Sequence, residues 1–223
     1  MTESVSREAL LKAFERVLDH LENSLDELNR LDSAVGDGDM GVTITLGSRA
    51  IRKILPDLAG EDIGTIVTRI GMAFNSAAPS PLGALTAIAA MRAGKEAKGT
   101  EELTPALLAK MMRATEAGIM EKGKAQQGDK TLLDALGPSL DALEKGLAAG
   151  KTLRQAAEEA VEAARAGVES TVGMKAKSGR AAWITERTLG HEDPGAVVVL
   201  RVWEGFAGLP SQTQSTETTG HSE

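Results

Sequence analysis

The sequence of 223 residues predicts an all-α protein, on three grounds. Aromatic residues make up only 2% of the chain and Tyr is absent, while Ala, Leu and Gly are abundant, which favours closely packed helices over a β-sandwich. Apolar residues recur every three or four positions along most of the chain. Ser, Thr or Asp stands directly before several of these periodic segments, as a helix N-cap does.

Composition and charge exclude several classes of protein. The net charge of −7 disfavours a nucleic-acid or anionic-membrane partner. The absence of Cys excludes disulfides, thiolate nucleophiles and zinc–thiolate sites. Neither a signal peptide nor an apolar run of membrane-spanning length is evident. We therefore expect a cytoplasmic protein with one domain over residues 1–208 and a disordered tail over residues 209–223, where Ser, Thr, Gln and Gly dominate.

One long amphipathic helix is predicted from about Ser6 to an acidic segment that begins at Asp32. Its apolar stripe consists of Leu10, Phe14, Val17, Leu21, Leu25, Leu28 and Leu31. A second helix is expected from near Gly41 to about Leu55, where Pro56 stops it. The acidic segment therefore lies between the end of one helix and the start of the next.

Three carboxylates are concentrated in that segment: Asp32, Asp37 and Asp39. The glycines between them allow a tight turn, and Mg²⁺ and Ca²⁺ prefer such oxygen ligands. The first turn of the following helix should present free backbone N–H groups, which bind phosphate well. The segment lacks the regular alternate carboxylates and distal Glu of a calcium loop. A solvated acidic turn is the alternative interpretation.

Further helix starts are marked by Asp62, Pro81, Thr104-Pro105 and Thr152. A sixth helix, containing Pro138, follows the polar loop 123–131 and runs through Leu143. Residues 75–83 are small and include two prolines, so they form either a plain connector or a surface that a flat ligand can approach. Residues 118–125 nearly match a phosphate loop, but Ala125 replaces the metal-binding hydroxyl and the glycines follow a helix rather than a strand. That motif is therefore rejected.

The C-terminal part contains a predicted mobile basic loop and a last helix. Arg180 in residues 174–195 is a candidate phosphate ligand, although a single loop Arg is more often solvated. The run 196–203 has strand propensity, but a lone strand would have no partner, and Asp193-Pro194 is a helix start. We therefore expect a final, fully buried helix. These residues together indicate an all-helical Mg²⁺- and phosphate-binding domain.

Three motifs carry a resemblance to a known family. They are Leu31-Asp32 with Gly36-Asp37-Gly38-Asp39-x-Gly41, Gly128-Asp129-Lys130-Thr131-x-x-Asp134, and Gly179-Arg180-Ala181 followed by Gly190-His191-x-Asp193-Pro194-Gly195-Ala196. In this order and spacing they resemble the dihydroxyacetone kinase L subunit (DhaL), the nucleotide-binding domain of dihydroxyacetone kinases. The resemblance covers about residues 7–200.

The resemblance implies an eight-helix antiparallel up-and-down barrel or bundle that binds a nucleotide, ADP or ATP, at one end. By that resemblance, two Mg²⁺ ions would be held by Asp32, Asp37 and Asp39. The nucleotide contacts would be Met40, Gly41, Val42, Thr43, Ala78, Pro79, Gly123, Leu132, Arg180, Asp193, Pro194 and Gly195. Arg180 would position the phosphoryl group, and no general base is expected on this chain.

The resemblance also implies partners. In this family a separate K subunit binds the sugar covalently through a His. In the phosphotransferase-system version, ADP stays on the L subunit and a phosphohistidine on an M subunit recharges it to ATP. Direct exchange of free ATP and a non-enzymatic Mg²⁺–nucleotide regulator remain alternatives, and the short ketose is open.

Three positions depart from the family pattern. Met40 stands where the family usually has His, and the family usually has an Asn near the position of Thr43. Pro79 stiffens a loop that is usually rich in Gly and Ser. None of these changes alters the three carboxylates.

Overall fold

The computed structural model describes residues 4–209, except for the side chains of residues 180, 181, 183 and 184. This part of the chain contains nine α-helices: α1 (Arg7–Asn23), α2 (Leu25–Val35), α3 (Met40–Ile54), α4 (Ile63–Ala77), α5 (Pro81–Glu96), α6 (Pro105–Gly123), α7 (Leu133–Ala148), α8 (Leu153–Thr171) and α9 (Pro194–Ala207). Two 3₁₀ helices cover Leu55–Leu58 and Arg180–Thr188. A two-stranded antiparallel ribbon pairs β1 (Val5–Ser6) with β2 (Glu102–Leu103). The all-α prediction is confirmed.

Helix starts lie where local capping chemistry places them. The side chains of Asp62, Thr104, Thr152 and Asp193 each accept a hydrogen bond from the backbone N–H three residues later. Thr152 also forms a reciprocal capping box with Gln155. Proline occupies the first turn of α5, α6 and α9. The predicted starts of these helices are confirmed.

The prediction of one long first helix is wrong, because the helix breaks at Ser24. The backbone of Ser24 leaves helical geometry at φ −94° and ψ 9°, and its hydroxyl donates to the carbonyl oxygen of His20 at 2.8 Å. This break accounts for nine helices in the described chain where eight were expected. The apolar stripe continues across it, since Leu21, Leu28 and Leu31 are all buried.

Other boundaries also differ from the predictions. Helix α4 continues to Ala77, so the small-residue loop before α5 consists only of residues 78–80. The segment expected to be a loop over residues 174–195 contains the 3₁₀ helix Arg180–Thr188. The helical spacing of Met120 predicts that it faces inward on α6, but its side chain is 41% exposed. The predicted tail at 209–223 lies outside the described residues except for Leu209, so both that tail and the 1–208 domain boundary stay predictions.

The helices form a closed arrangement around a single main core. From α3 to α9 each helix packs against the next one in the chain, and α9 returns to pack against α1, which contacts α3. Short connections between such neighbours are typical of antiparallel helix pairs. The fully buried side chains include Leu28, Leu58, Ile66, Leu143 and Val161. This closure brings the start of α9 to the end of the bundle where α3 begins.

Helix α9 is the central element of this packing. None of its residues is exposed, but the prediction of a fully buried helix is too strong, because Gly195, Val198, Val199, Val202 and Phe206 are only half-buried. Arg201 donates to Glu204 at 2.7 Å and to Glu27 of α2 at 2.8 Å, so a buried charge network anchors α9. The indole N–H of Trp203 donates to Ser139 Oγ of α7 at 2.8 Å.

A membrane-spanning helix was also sought in the described part of the chain, and none of its helices has the length and apolar character that a span requires.

Candidate functional site

A cleft of about 460 Å³ opens at the end of the bundle where α3, α5 and α9 begin. Its volume lies within the range of small-molecule sites. Most of the residues proposed from the sequence line it: Asp32, Asp37, Asp39, Met40, Val42, Thr43, Ala78, Pro79, Leu132, Asp193, Pro194 and Gly195. The structure therefore brings together segments that are up to about 160 positions apart in the sequence.

The three carboxylates converge on one side of this cleft. Asp32 lies in the last turn of α2, Asp37 lies in the turn, and Asp39 precedes α3. Each offers an oxygen, and these oxygens lie within 4.8 Å of one another. Two oxygen ligands on opposite sides of an octahedral Mg²⁺ ion are about 4.2 Å apart, which is close to this separation. The donor set, made only of carboxylate oxygens, therefore fits a hard divalent cation.

Asp32 also organises the turn that carries the other two carboxylates. Its Oδ2 accepts hydrogen bonds from the backbone N–H groups of Gly38, Asp39 and Met40, at 2.9, 3.0 and 3.3 Å. A Cβ on Gly36 would overlap the other carboxylate oxygen, Oδ1. The absence of a side chain at residue 36 therefore allows the Asp32 carboxylate to reach the start of α3.

The expectation of free N–H groups at the start of α3 is wrong for its first two residues. Met40 N–H donates to Asp32, and Gly41 N–H donates to Asn29 Oδ1 at 2.8 Å. Gly41 is buried and does not line the cleft, and a Cβ there would overlap the carbonyl oxygen of Leu25. These helix-terminal donors bind side chains of α2, and Gly41 lets α3 approach α2 closely.

Two other proposed contacts stand apart from the cleft lining. Gly123 is exposed at the end of α6 and does not line the cleft. A Cβ added at residue 123 would lie 3.6 Å from the side chain of Leu85, which does line the cleft. The side chain of Arg180 lies outside the described residues, although its backbone begins the second 3₁₀ helix directly after Gly179 of the cleft wall. Both contacts stay predictions.

Another part of the cleft lining is apolar. Val42 and Leu46 lie one turn apart on α3 and are each 47% exposed. Leu82 and Leu85 of α5 line the same cleft. A cleft lined by both carboxylates and exposed aliphatic side chains suits a ligand that has a charged part and a flat or apolar part.

Lys130 is a buried lysine that lines the cleft and was not among the predicted site residues. Lys130 is 2% exposed, and its ammonium donates to the carbonyl oxygens of Thr171, Thr188 and His191 at 2.7, 2.6 and 2.6 Å. The Asp134 carboxylate accepts from the N–H groups of Gly128 and Thr131 and so folds the loop around it. The motif contained these residues, but nothing local in it indicates a buried ammonium.

Burial shifts the pKa values of two groups that line the cleft. Desolvation raises the pKa of Asp193 to about 7, although its carboxylate also accepts a hydrogen bond from the N–H of Ala196. Desolvation lowers the pKa of Lys130, and the nearby charge of Asp193 opposes that change. Asp193 therefore titrates near neutral pH.

Comparison with known proteins identifies the family of this chain. The family model described as the DAK2 domain matches residues 34–208. The chain belongs to the DAK2 domain family. A relative that matches over nearly its whole length is the PEP-dependent dihydroxyacetone kinase, ADP-binding subunit DhaL, of Escherichia coli (strain K12). It is 32% identical, and the match covers 92% of this chain and 97% of that protein.

Longer relatives match over only part of their length. The L-erythrulose 1-kinase of Mycolicibacterium smegmatis is 35% identical, and the match covers 85% of this chain and 33% of that protein. The crystal structure of the dihydroxyacetone kinase of C. freundii superposes with a TM-score of 0.72 at 29% identity, covering 93% of this chain and 36% of that one. Its complex with AMP-PNP and Mg²⁺ gives a TM-score of 0.70 at 27% identity. This chain thus spans about a third of the length of those solved kinases.

Proposed function

We propose that this DAK2 protein is the nucleotide-binding subunit of a kinase that phosphorylates dihydroxyacetone or another short ketose. The nucleotide, ADP or ATP, would bind in the cleft with two Mg²⁺ ions held by Asp32, Asp37 and Asp39. The convergence of these three carboxylates within 4.8 Å at the edge of the cleft is the observation that carries the proposal. The Mg²⁺–AMP-PNP complex of the C. freundii kinase supports it.

Different residues of the cleft would bind the base and the phosphates of the nucleotide. The base would lie against the apolar wall of Val42, Leu46, Leu82 and Leu85, because stacking and burial of a flat heterocycle need no charge. The phosphates would face the carboxylate side and the start of α9. Bound Mg²⁺ would neutralise phosphate charge and polarise the phosphoryl group. Asp32 would keep the turn in place through its three backbone hydrogen bonds.

Phosphoryl transfer in this proposal needs no general base from this chain. A separate sugar-binding K subunit would present the ketose, and Arg180 would orient the phosphoryl group. The DhaL relative is named as PEP-dependent, which supports a phosphocarrier M subunit that recharges bound ADP to ATP. Relatives named as erythrulose kinases leave the identity of the short ketose open. All components would be cytoplasmic.

Nucleotide retention distinguishes the proposal from its alternatives. The purified protein is passed through a desalting column with Mg²⁺ and then analysed for ADP by absorbance and mass spectrometry. Retained ADP, with transfer to dihydroxyacetone only when a K subunit is added, supports the carrier function. Protein that elutes without nucleotide and exchanges rapidly with external ATP contradicts phosphocarrier recharging. Nucleotide binding without any transfer in the presence of a K subunit indicates a non-enzymatic regulator instead.

The metal site is tested by Asp37→Asn, which removes one charge but keeps the shape of the side chain. We expect strongly weakened Mg²⁺-dependent ADP binding in calorimetry and unchanged helicity in circular dichroism, because Asp37 is exposed in the turn. Asp57→Asn is the matched control, since Asp57 is an exposed carboxylate in the first 3₁₀ helix, outside the cleft lining. Unchanged binding in Asp37→Asn would show that this segment is not the metal site.

A further inference from the structure

One wall of the cleft is formed by the connection between α8 and α9, residues 172–192, which we call the strap. Ser178 and Gly179 of the strap line the cleft, and the strap leads directly into the lining residues Asp193, Pro194 and Gly195. Within the described residues the strap has hydrogen bonds of its own, such as Gly190 N–H to the Val172 carbonyl oxygen at 2.9 Å and Ala176 N–H to Thr188 Oγ1 at 3.1 Å. These bonds set the internal shape of the strap, whereas its position against the cleft depends on the contacts that join it to the rest of the chain.

The Lys130 ammonium forms hydrogen bonds at both ends of the strap. It has three N–H donors, and each reaches a different carbonyl oxygen. Thr171 is the last residue of α8, Thr188 ends the 3₁₀ helix, and His191 lies just before α9. One buried side chain therefore fixes where the strap leaves α8, where its 3₁₀ helix ends and where it returns to α9.

The backbone at residue 130 is held in an unfavourable conformation to place this side chain. Lys130 has φ +59°, in the left-handed region that favours Gly. The surrounding loop is fixed by the Asp134 carboxylate, and its backbone also meets the strap through Lys177 N–H, which donates to Asp129 O at 3.1 Å. A strained backbone that presents a fully hydrogen-bonded charge beside a ligand cleft indicates a functional constraint.

We propose that Lys130 is a positioning residue that holds the strap closed against the cleft and thereby sets the rate at which bound nucleotide dissociates. The inference rests on the proposed nucleotide-binding function. The ammonium acts on the strap and not on the nucleotide, because its three donors are already used by main-chain carbonyls. Without it, the three carbonyl oxygens lose their charged donor, although those of Thr171 and Thr188 still accept from the N–H groups of Met174 and His191. Those remaining bonds do not involve the loop that carries residue 130, so the strap opens more often. Lys130 thus decides whether the subunit retains its nucleotide or exchanges it.

Dissociation kinetics test this role directly. A fluorescent ADP analogue is bound with Mg²⁺ and displaced by excess ADP in a stopped-flow instrument. For Lys130→Met we expect dissociation at least about tenfold faster, which corresponds to the loss of one hydrogen bond to a charged group. Lys175→Met is the matched control. Lys175 lies on the strap, and among the described residues its ammonium pairs only with the exposed Glu186. The dissociation rate of Lys175→Met should therefore match that of the wild type.

Chemical rescue separates the ammonium from general folding effects. Because the chain has no Cys, Lys130→Cys introduces a unique thiol. Alkylation with 2-bromoethylamine in denaturant, followed by refolding, rebuilds a side chain of lysine length with an ammonium, while iodoacetamide gives a neutral analogue. The wild type is taken through the same cycle. We expect the aminoethyl protein to return to within about twofold of the wild-type dissociation rate and the neutral one to remain at least about tenfold faster.

The strap itself is followed by amide hydrogen exchange, which does not depend on activity. In the wild type, Mg²⁺–ADP should slow exchange at Lys177 and Gly190, and in unliganded Lys130→Met these amides should exchange faster than in the wild type. This comparison also decides the matter if the alkylated proteins do not refold. Folded Lys130 variants with wild-type dissociation and exchange rates would overturn the inference about Lys130 but not the proposed function. A wild-type protein that fails to bind Mg²⁺–ADP in calorimetry would overturn the proposed function and the inference together.

Discussion

The substitution Gly36→Ala tests whether the orientation of the Asp32 carboxylate is required for the metal site. Gly36 has φ −149°, outside the left-handed region, so the substitution acts through crowding and not through a forbidden backbone angle. The added Cβ would overlap Asp32 Oδ1 and would lie 3.1 Å from Asp32 Cγ. Carbon atoms in contact prefer about 3.5–4.0 Å, so the carboxylate must retreat by at least about 0.5 Å at Cγ, and Oδ1, which lies closer, must move further.

The consequence can be estimated from the bonds that hold this carboxylate. Oδ2 accepts three backbone hydrogen bonds, and the one from Met40 N–H, at 3.3 Å, is the longest and the first to be lost. A hydrogen bond to a charged group contributes about 1.5–3 kcal/mol, so we expect the free energy of unfolding to fall by about 2 kcal/mol. For a domain of this size that lowers Tm by about 4–8 °C. Loss of ligand orientation should weaken Mg²⁺-dependent ADP binding by about 10–100-fold.

Two measurements check this estimate. Calorimetric titration gives the affinity for Mg²⁺–ADP, and thermal unfolding followed by circular dichroism without Mg²⁺ gives Tm. Gly60→Ala is the control, because a Cβ at residue 60 meets nothing within 4 Å. If Gly36→Ala retained the wild-type Tm and bound Mg²⁺–ADP within twofold of the wild type, the reasoning about Asp32 would be refuted.

Three further predictions concern stability. Asp193→Asn keeps an N-cap acceptor but cannot titrate. Since burial raises the pKa of Asp193 from 3.8 to about 7, the folded wild type retains a proton that the unfolded chain has released, and its stability in Mg²⁺-free buffer should fall as the pH rises from about 4 to 7. The variant should show a flatter profile in urea unfolding, and equal slopes would contradict this. Arg201→Met leaves Glu204 and Glu27 without their shared partner and should cost about 3–5 kcal/mol in the same assay, whereas a loss below about 1 kcal/mol would show that the network contributes little. Thr152→Ala removes the α8 capping box and should cost about 1 kcal/mol, and an unchanged midpoint of unfolding would contradict that role.

Features that depend on neighbours in the chain could be predicted from the sequence. The caps at Asp62, Thr104 and Thr152 act over three residues, so the relevant donor and acceptor are both visible in the sequence. The break at Ser24 had a local signal too, because Ser24 and Glu27 have capping-box spacing. Its hydroxyl instead donates back to His20, and the apolar stripe that crosses the break concealed it.

The candidate site was predictable only where its motifs are local. The sequence indicated three carboxylates with turn-forming glycines, and the structure places their oxygens within 4.8 Å. It did not indicate that Asp32 and Asn29 already accept the N–H groups at the start of α3, because that depends on how closely α2 and α3 pack. The roles of Gly41 and of the cleft wall were hidden for the same reason.

The sequence by itself determined the all-helical class, most helix starts and the segments that carry charge, since periodicity, capping and composition act over a few residues. Only the tertiary structure decided which segments meet. The return of α9 to α1 brings Asp193 to the cleft. The loop that precedes α7 places the Lys130 ammonium among carbonyl oxygens 41, 58 and 61 residues away. Such contacts join groups that are distant in sequence, and backbone carbonyls are the same in every residue, so no pattern of side chains reveals them.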